Sequence, residues 1–241
     1  MAQLSDDCFA FGGPLLSVDD AQALILARVA PLGGAETVAL PAARGRVLAG
    51  PLHARIPLPP FFNSAVDGYA FRHADLAPAG ETTLRLAGRV PAGAAAAPLA
   101  PGTAARIFTG APMPAGADTV LMQEDAREAE GAVLIPAGLK PGANARPAGE
   151  DMPLGAEALG DGTRLRAPEI GLAAALGHAS LPVRPLLRVG VFSTGDELAS
   201  PGAPLGPAQA HDSNRFTLMA LLAGLPCAVT DLGILPDDRA A

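Results

Sequence analysis

Hydroxyl and carboxylate side chains follow two apolar runs of this sequence. The run 186–192 leads directly into two hydroxyls and two carboxylates, and the run 227–232 is followed by two aspartates. The six residues are Ser193, Thr194, Asp196, Glu197, Asp237 and Asp238. Carboxylates held close together repel by about 1 to 4 kcal/mol per pair at moderate dielectric, so they persist most easily around a cation. Mg²⁺ with an anionic substrate suits them, because this ion binds one or two carboxylates together with phosphate oxygens.

Each of these carboxylates also has a purely structural interpretation. Asp196 fits a turn, since aspartate tolerates the backbone angles that turns require. Asp237 or Asp238 fits the N-cap of a helix, where a carboxylate accepts hydrogen bonds from free backbone N–H groups. Taken singly, each aspartate suits either role.

The two apolar runs are predicted to be strands joined by a helix. The helix covers 214–223, is capped by Asp212 or Ser213, and ends at Gly224. A strand, a helix and a strand in this order form a βαβ unit with parallel strands. Ligands of open α/β sheets bind at the carboxyl ends of the strands, so the location favours function over a solvated loop.

Two loops earlier in the chain combine proline and glycine with polar side chains. The segment 59–70 includes Asn63, Ser64 and Asp67, and the segment 106–124 includes Thr109 within Thr-Gly-Ala-Pro. Proline fixes the backbone and glycine permits close approach, so these loops are predicted to be rigid and to present polar groups to a ligand. Ser64 and Thr109 also fit simple turn caps.

The remaining pattern predicts a mixture of helices and short strands. A helix is expected over 18–29 with Ser17 as its N-cap, and a second helix opens next to Pro168 and closes at Gly177. A short strand is expected over 36–40. Further strands, separated by turn clusters, indicate a small β module; they are expected at 82–86, 105–108, 119–122 and 133–135.

The composition excludes several classes of protein. The 241 residues are 49% hydrophobic and 17% charged, which is typical of a globular protein. A stretch of about 18 apolar residues, as a membrane span requires, is absent, and the acidic amino terminus does not resemble a signal peptide; we therefore expect no membrane partner and a cytoplasmic location. The net charge of −7 argues against nucleic acid as a partner. Cys8 and Cys227 have no metal-binding spacing, and structural or incidental thiols are expected.

The two loops and the segment 187–198, in order and spacing, resemble the molybdopterin molybdenumtransferase family, the group of bacterial MoeA and the gephyrin E domain. Further matches include Gly149-Glu150-Asp151 and Asp212-Ser213-Asn214. The resemblance implies an α/β multidomain fold in three parts. Residues 1–63 and 139–184 would form an elongated mixed α/β domain, 64–138 an inserted small β module, and 185–241 the start of a parallel α/β pterin-binding domain that is truncated here.

The resemblance also implies an activity and a set of site residues. Enzymes of this family insert molybdenum from molybdate into adenylylated molybdopterin and release AMP, with Mg²⁺ assisting, in a homodimer whose active site draws on both subunits. The implied catalytic residues are Thr109, Asp151 and Glu197; the substrate-binding residues are Asn63, Ser64, Asp67, Ser193, Thr194, Asp237 and Asp238; the metal ligands are Asp196 and Glu197. Arg106 and Arg146 either offset the charge of the anionic substrates or form surface salt bridges.

Two departures from the family pattern affect what this chain is expected to do. Phe62 stands where the family has an acidic residue of the active-site region, which is expected to weaken metal handling. The chain also ends one βαβ step into the pterin-binding domain, so we expect a fragment or truncated product that is inactive alone. A non-catalytic molybdopterin-binding or scaffold module and a pterin-binding regulator remain alternatives.

Overall fold

The computed structural model describes residues 16–237. Asp238 and Cys8, both considered above, lie outside this range. In chain order the described helices and strands are α1 Val18–Arg28, β1 Glu36–Ala39, β2 Leu52–His53, β3 Asn63–Ser64, β4 Gly68–Phe71, β5 Thr82–Val90, β6 Thr103–Ile107, β7 Thr119–Met122, β8 Arg127–Ala129, β9 Ala132–Ile135, β10 Ala145–Arg146, β11 Glu157–Leu159, α2 Ala167–Ala175, β12 Ser180–Val183, β13 Leu187–Thr194, β14 Leu198–Ala199, β15 Ala210–His211, α3 Asn214–Leu222 and β16 Cys227–Leu235.

A six-stranded mixed sheet forms the largest unit, with strand order β7-β4-β6-β5-β9-β8. Successive residues of β4 face opposite sides of the sheet, as the pleat requires. Ala70 packs in one apolar cluster with Ile107 and Val120, whereas Phe71 packs in another with Leu121. The sheet is therefore covered on both faces, and the four short strands that the sequence predicted for this region are confirmed.

A further core is formed by residues that precede the six-stranded sheet in the sequence together with residues that follow it. Strand β1 pairs antiparallel with β12, and β2 pairs with β11. Leu48, Leu165 and Leu181 are fully buried in the cluster that these strands enclose. Helix α2 adds Ala173 to this cluster, which agrees with its prediction as an element next to Pro168.

Helix α1 begins where the sequence predicts. The Ser17 side chain accepts a hydrogen bond from the backbone N–H of Asp20, and the last turn ends at Arg28. None of its residues is buried. Among residues 16–237, no helix has the length and apolar character needed to cross a membrane.

The predicted βαβ unit is confirmed. Strands β13 and β16 pair in parallel, and α3 connects them and packs against both. The register shifts between Val191 and Phe192, so that Asp231 lies opposite Val191 while Gly233 lies opposite Phe192. Leu232 is thus the extra residue of a β-bulge, which re-aims the end of β16.

Candidate functional site

Backbone hydrogen bonds bring three separate loops together in what we call the loop junction, residues 62–68, 109–113 and 144–151. The N–H of Ser64 donates to the Ala111 carbonyl at 3.0 Å, and the N–H of Gly110 donates to the Ser64 carbonyl at 2.8 Å. Strand β3 pairs with β10, which places Asn63 opposite Arg146. The loop junction therefore holds three of the segments that the sequence singled out.

Gly68 lets strand β4 approach β7 at the edge of this junction. A Cβ at Gly68 would overlap the carbonyl oxygen of Leu121 and lie 2.9 Å from its carbonyl carbon. Both of those atoms belong to the backbone, which cannot rotate away as a side chain can. Glycine is thus required here by close approach, as the loop composition suggested.

The Asp67 carboxylate organises the Thr109 turn. Its Oδ1 accepts hydrogen bonds from the Thr109 backbone N–H at 2.7 Å and from the Thr109 hydroxyl at 2.8 Å. These two bonds, the backbone one foremost, lower the pKa of Asp67, with a smaller contribution from the charge of Arg106. The contacts favour a loop-shaping role for Asp67, and they direct the single hydroxyl proton of Thr109 to the Asp67 carboxylate.

Asn63 and Ser64 are buried, and their side chains bond within their own loop. The Ser64 hydroxyl donates to the Val66 carbonyl at 2.7 Å, and the Asn63 amide donates to the Phe61 carbonyl at 3.3 Å. Such local bonds stabilise turns. They favour the turn-cap interpretation of Ser64, whereas Phe62 in the same loop is exposed.

Arg146 pairs with two of the acids beside it. Its Nε donates to Glu150 and a terminal nitrogen donates to Asp151, both at 2.6 Å. These bonds, that to Glu150 first, raise the pKa of Arg146 above its already high value, so the guanidinium stays charged. Asp151 is half exposed and already has a cationic partner, as the salt-bridge interpretation of Arg146 expects.

Arg106 lies across two aromatic rings. Its guanidinium carbon is 5.1 Å from the ring centre of Tyr69 and 5.0 Å from that of Phe108. It also donates to the Gly68 carbonyl and to Gln123. Cation–π contacts fix an arginine side chain without neutralising its charge.

A second candidate region lies at the carboxyl end of β13, where a cavity of about 330 Å³ opens beside the start of α3. We call it the strand-end cavity. Its lining residues are Ser193, Thr194, Glu197, Leu198, His211, Asp212, Ser213 and Asn214. All of them come from 193–214 and none from the loop junction. This is the edge of a parallel strand at which open α/β folds bind ligands.

Gly195 allows Glu197 to fold back into this cavity. The backbone of Gly195 has φ of +141°, and a Cβ there would lie 2.6 to 2.8 Å from the carboxylate atoms of Glu197. Any larger residue would therefore displace the carboxylate and strain the turn. The predicted catalytic Glu197 is exposed and faces the cavity that also holds Ser193 and Thr194.

A buried ion pair joins Asp212, which lines the strand-end cavity, to Arg215 of α3. Asp212 and Arg215 are 2% and 5% exposed, and Nε of Arg215 donates to Oδ2 of Asp212 at 2.8 Å. Another guanidinium nitrogen of Arg215 donates to Asp231 in the bulge of β16. The hydroxyl of Ser193 donates to Oδ1 of Asp212 at 2.9 Å.

The sequence pattern pointed to this ion pair only in part. Asp212 was predicted as a possible helix cap, and the backbone N–H of Arg215 does donate to it at 3.3 Å. Arg215 itself was missed, as were His211 and Asn214. In the local sequence Arg215 resembles a solvated helix residue. The one signal that could have indicated its role is the aspartate three residues before it.

The other predicted carboxylates lie apart. Asp196 and Asp237 are exposed and do not line the cavity. Among residues 16–237, no three His, Cys, Asp or Glu side chains form a group that could hold a metal ion. Asp196, Glu197 and Asp237 therefore do not meet in one such group within these residues, and the pair of metal ligands Asp196 and Glu197 stays a prediction. Cys227 is a free thiol.

Comparison with known proteins identifies the family. Residues 16–177 match the family model described as the MoeA N-terminal region, domains I and II. Molybdopterin molybdenumtransferase 2 of Mycobacterium tuberculosis is 43% identical over 208 residues, which cover 85% of this chain and 51% of that protein. Molybdopterin molybdenumtransferase of Haemophilus influenzae is 40% identical over 228 residues, which cover 94% of this chain and 56% of that protein.

A solved structure agrees with the sequence relatives. The crystal structure of the molybdopterin biosynthesis MoeA protein from Pyrococcus horikoshii superimposes with a TM-score of 0.85 at 32% identity, covering 94% of this chain and 62% of that chain. The fold is thus a mixed α/β fold similar to MoeA structures. The chain belongs to the MoeA family, and it spans about half the length of the curated relatives it matches.

Proposed function

We propose that this chain is part of a molybdopterin molybdenumtransferase, which acts in molybdenum cofactor biosynthesis by inserting molybdenum from molybdate into adenylylated molybdopterin with release of AMP. The names of its relatives support this assignment. The observation that carries it is the strand-end cavity, where two hydroxyls and the Glu197 carboxylate converge at the carboxyl end of a parallel strand.

Glu197 is proposed as the central acid of the cavity, with Asp196 as a second ligand of Mg²⁺. Hard oxygen donors suit that ion, and one or two carboxylates are enough when phosphate oxygens complete the shell. When bound, Mg²⁺ would offset the negative charge of the phosphate groups. Ser193 and Thr194 would then hold the organic part of the substrate, and Asp237 and Asp238 stay predicted substrate-binding residues.

Thr109 and Asp151 are proposed to act from the loop junction of a second copy of the chain. The strand-end cavity draws its lining from 193–214 alone, so residues of the loop junction need another route to the substrate. A homodimer that sets the loop junction of one copy against the cavity of the other would supply it. Arg146 would hold the side chain of Asp151 in place there through its hydrogen bond.

The division of the chain into an elongated domain at 1–63 and 139–184, an inserted module at 64–138 and the start of a pterin-binding domain at 185–241 is part of this proposal. Support comes from the core that joins β1 and β2 with β11 and β12. A cytoplasmic location stays a prediction.

Complementation tests the proposal. In a bacterial strain lacking its own transferase, the natural gene product should restore molybdoenzyme activity, and Glu197→Gln should reduce the rescue at least about 100-fold if this carboxylate serves the chemistry. Glu157→Gln, an exposed glutamate on β11, is the matched control and should rescue fully. Pterin binding without rescue would instead indicate a non-catalytic binding module.

A further inference from the structure

The Ser193 hydroxyl has a fixed hydrogen-bond polarity. A serine hydroxyl carries one proton and can donate one hydrogen bond, while its oxygen can accept others. An ionised carboxylate can only accept. Because Oγ of Ser193 lies 2.9 Å from Oδ1 of Asp212, the serine proton must point at the aspartate whenever Asp212 is ionised.

Arg215 keeps Asp212 in that ionised form. The hydrogen bond from its side chain is the largest cause of the lowered pKa of Asp212, and the hydroxyl of Ser193 and the backbone N–H of Arg215 lower it further. The pair is withdrawn from solvent, since Asp212 is 2% and Arg215 5% exposed. At neutral pH the carboxylate therefore has no proton to give to Ser193.

Arg215 also contacts strand β16, which pairs with β13. It donates to Asp231, whose Oδ1 in turn accepts the backbone N–H of Gly233 at 2.9 Å. These bonds tie the helix to the bulge that sets the register of β16 against Ser193 and Thr194. The orientation of the serine is thus anchored from α3 and from the second strand together.

We propose that Ser193 is a specificity-determining residue that accepts a hydrogen bond from an N–H or O–H donor of the ligand, and that Arg215 is the positioning residue that enforces this polarity through Asp212. The exocyclic amino group of a purine or pterin is such a donor, and so is a ribose hydroxyl. The oxygens of molybdate are acceptors and are excluded from Ser193. This inference rests on the proposed function for the choice of ligands and adds the donor–acceptor direction of the hydrogen bond at Ser193.

Calorimetric titration with two probes tests the polarity. AMP in the presence of Mg²⁺ offers amino and hydroxyl donors, whereas molybdate offers acceptors alone. Ser193→Ala is expected to weaken AMP binding about 5-fold, as for the loss of one hydrogen bond, and to leave molybdate binding unchanged. Ser200→Ala, an exposed serine outside the cavity lining, is the matched control and should change neither.

Asp212→Asn provides the converse test. The asparagine amide can donate to Ser193 and free the serine proton, so the preference should move toward molybdate and away from AMP. Arg215→Lys keeps the charge and should keep the wild-type preference. Measuring the carboxyl ¹³C shift of Asp212 against pH gives a readout without ligand, and a pKa above the ordinary value of an aspartate would overturn the inference.

The outcomes separate the inference from the proposed function. If the unchanged natural gene product binds the probes and Ser193→Ala weakens molybdate instead of AMP, or leaves AMP binding intact, the polarity is wrong while the function stands. If the unchanged natural gene product binds neither AMP nor molybdate, the proposed function and the inference both fail.

Discussion

The loop junction and the strand-end cavity each hold a hydroxyl group against an aspartate, but they do so by different means. Asp67 accepts the hydrogen bond of the Thr109 hydroxyl at an exposed turn, and backbone hydrogen bonds and close packing at Gly68 hold that turn. Asp212, which is buried, accepts the hydrogen bond of the Ser193 hydroxyl, and the charged side chain of Arg215 holds the aspartate. The same local contact is thus supported by backbone geometry in one region and by a buried ion pair in the other.

The largest effect is expected from breaking the backbone support. Gly68→Ala forces a Cβ against the Leu121 carbonyl, so strand β4 must shift, and the free energy of unfolding should fall by about 3 kcal/mol, at the upper end for overpacking. Urea denaturation measures it. Gly171→Ala is the control, because a Cβ there meets open space within α2 and should stabilise by about 0.5 to 1 kcal/mol. Equal effects of the two substitutions would contradict the role of close approach.

Breaking the ionic support should come next. Arg215→Met leaves two carboxylates without their cation, one of them buried, and the thermal midpoint should fall by about 5 °C or more. Arg127→Met is the control, because Arg127 and its partner Glu81 are both exposed. Differential scanning calorimetry compares the two. A midpoint that falls no further for Arg215→Met than for Arg127→Met would mean that the buried pair does not hold the cavity together.

Acid should weaken the hydrogen bonds of both aspartates, Asp67 and Asp212. The pKa values of Asp67 and Asp212 are both lowered on folding, the first mainly by the Thr109 N–H and the second mainly by Arg215. A lowered pKa contributes stability above the unfolded value of 3.8, and that stability is lost as the pH falls through the folded value. Unfolding measured from pH 6 down to about pH 2 should show the loss, and Asp212→Asn should flatten it more than Asp67→Asn. If Asp67→Asn flattened the pH dependence more than Asp212→Asn, burial of the aspartate would not be what distinguishes the two contacts.

The smallest effect is expected from changing the exposed pair of Asp67 and Thr109. Asp67→Asn retains an acceptor oxygen for the Thr109 N–H, and water replaces the remaining bond, so the thermal midpoint should change by less than about 2 °C. The matching Asp118→Asn should behave alike, since Oδ1 of Asp118 also accepts one backbone N–H, that of His73, and one hydroxyl, that of Thr119. A large loss for Asp67→Asn alone would show that the loop junction depends on the charge of Asp67 after all.

The sequence predicted the regular elements because their signals are local. The strand at 119–122 and the cap at Ser17 follow directly from the residues within them. Strand β5 extends to Val90, beyond its predicted end, because pairing with β6 overrides the weak strand preference of Gly88. The two-residue strands β3 and β10 were not predicted, since neither is long enough to show a pattern and their pairing spans distant positions.

The candidate site divides in the same way. Ser193, Thr194 and Glu197 could be predicted because they follow the apolar run 186–192 and lie on either side of Gly195. The role of Arg215 could not, because one of its two ion-pair partners is Asp231, which lies 16 positions away on strand β16. Three-dimensional contact, rather than residue type, decides which aspartates are free and which already have partners.

The most direct test of the central claim is the release of AMP from adenylylated molybdopterin by the natural gene product, followed by chromatography with and without molybdate. We expect release that requires molybdate, is lost in Glu197→Gln and is retained in Glu157→Gln. Release that is absent, or that proceeds equally in Glu197→Gln, would contradict the assignment of the strand-end cavity as the site of transfer.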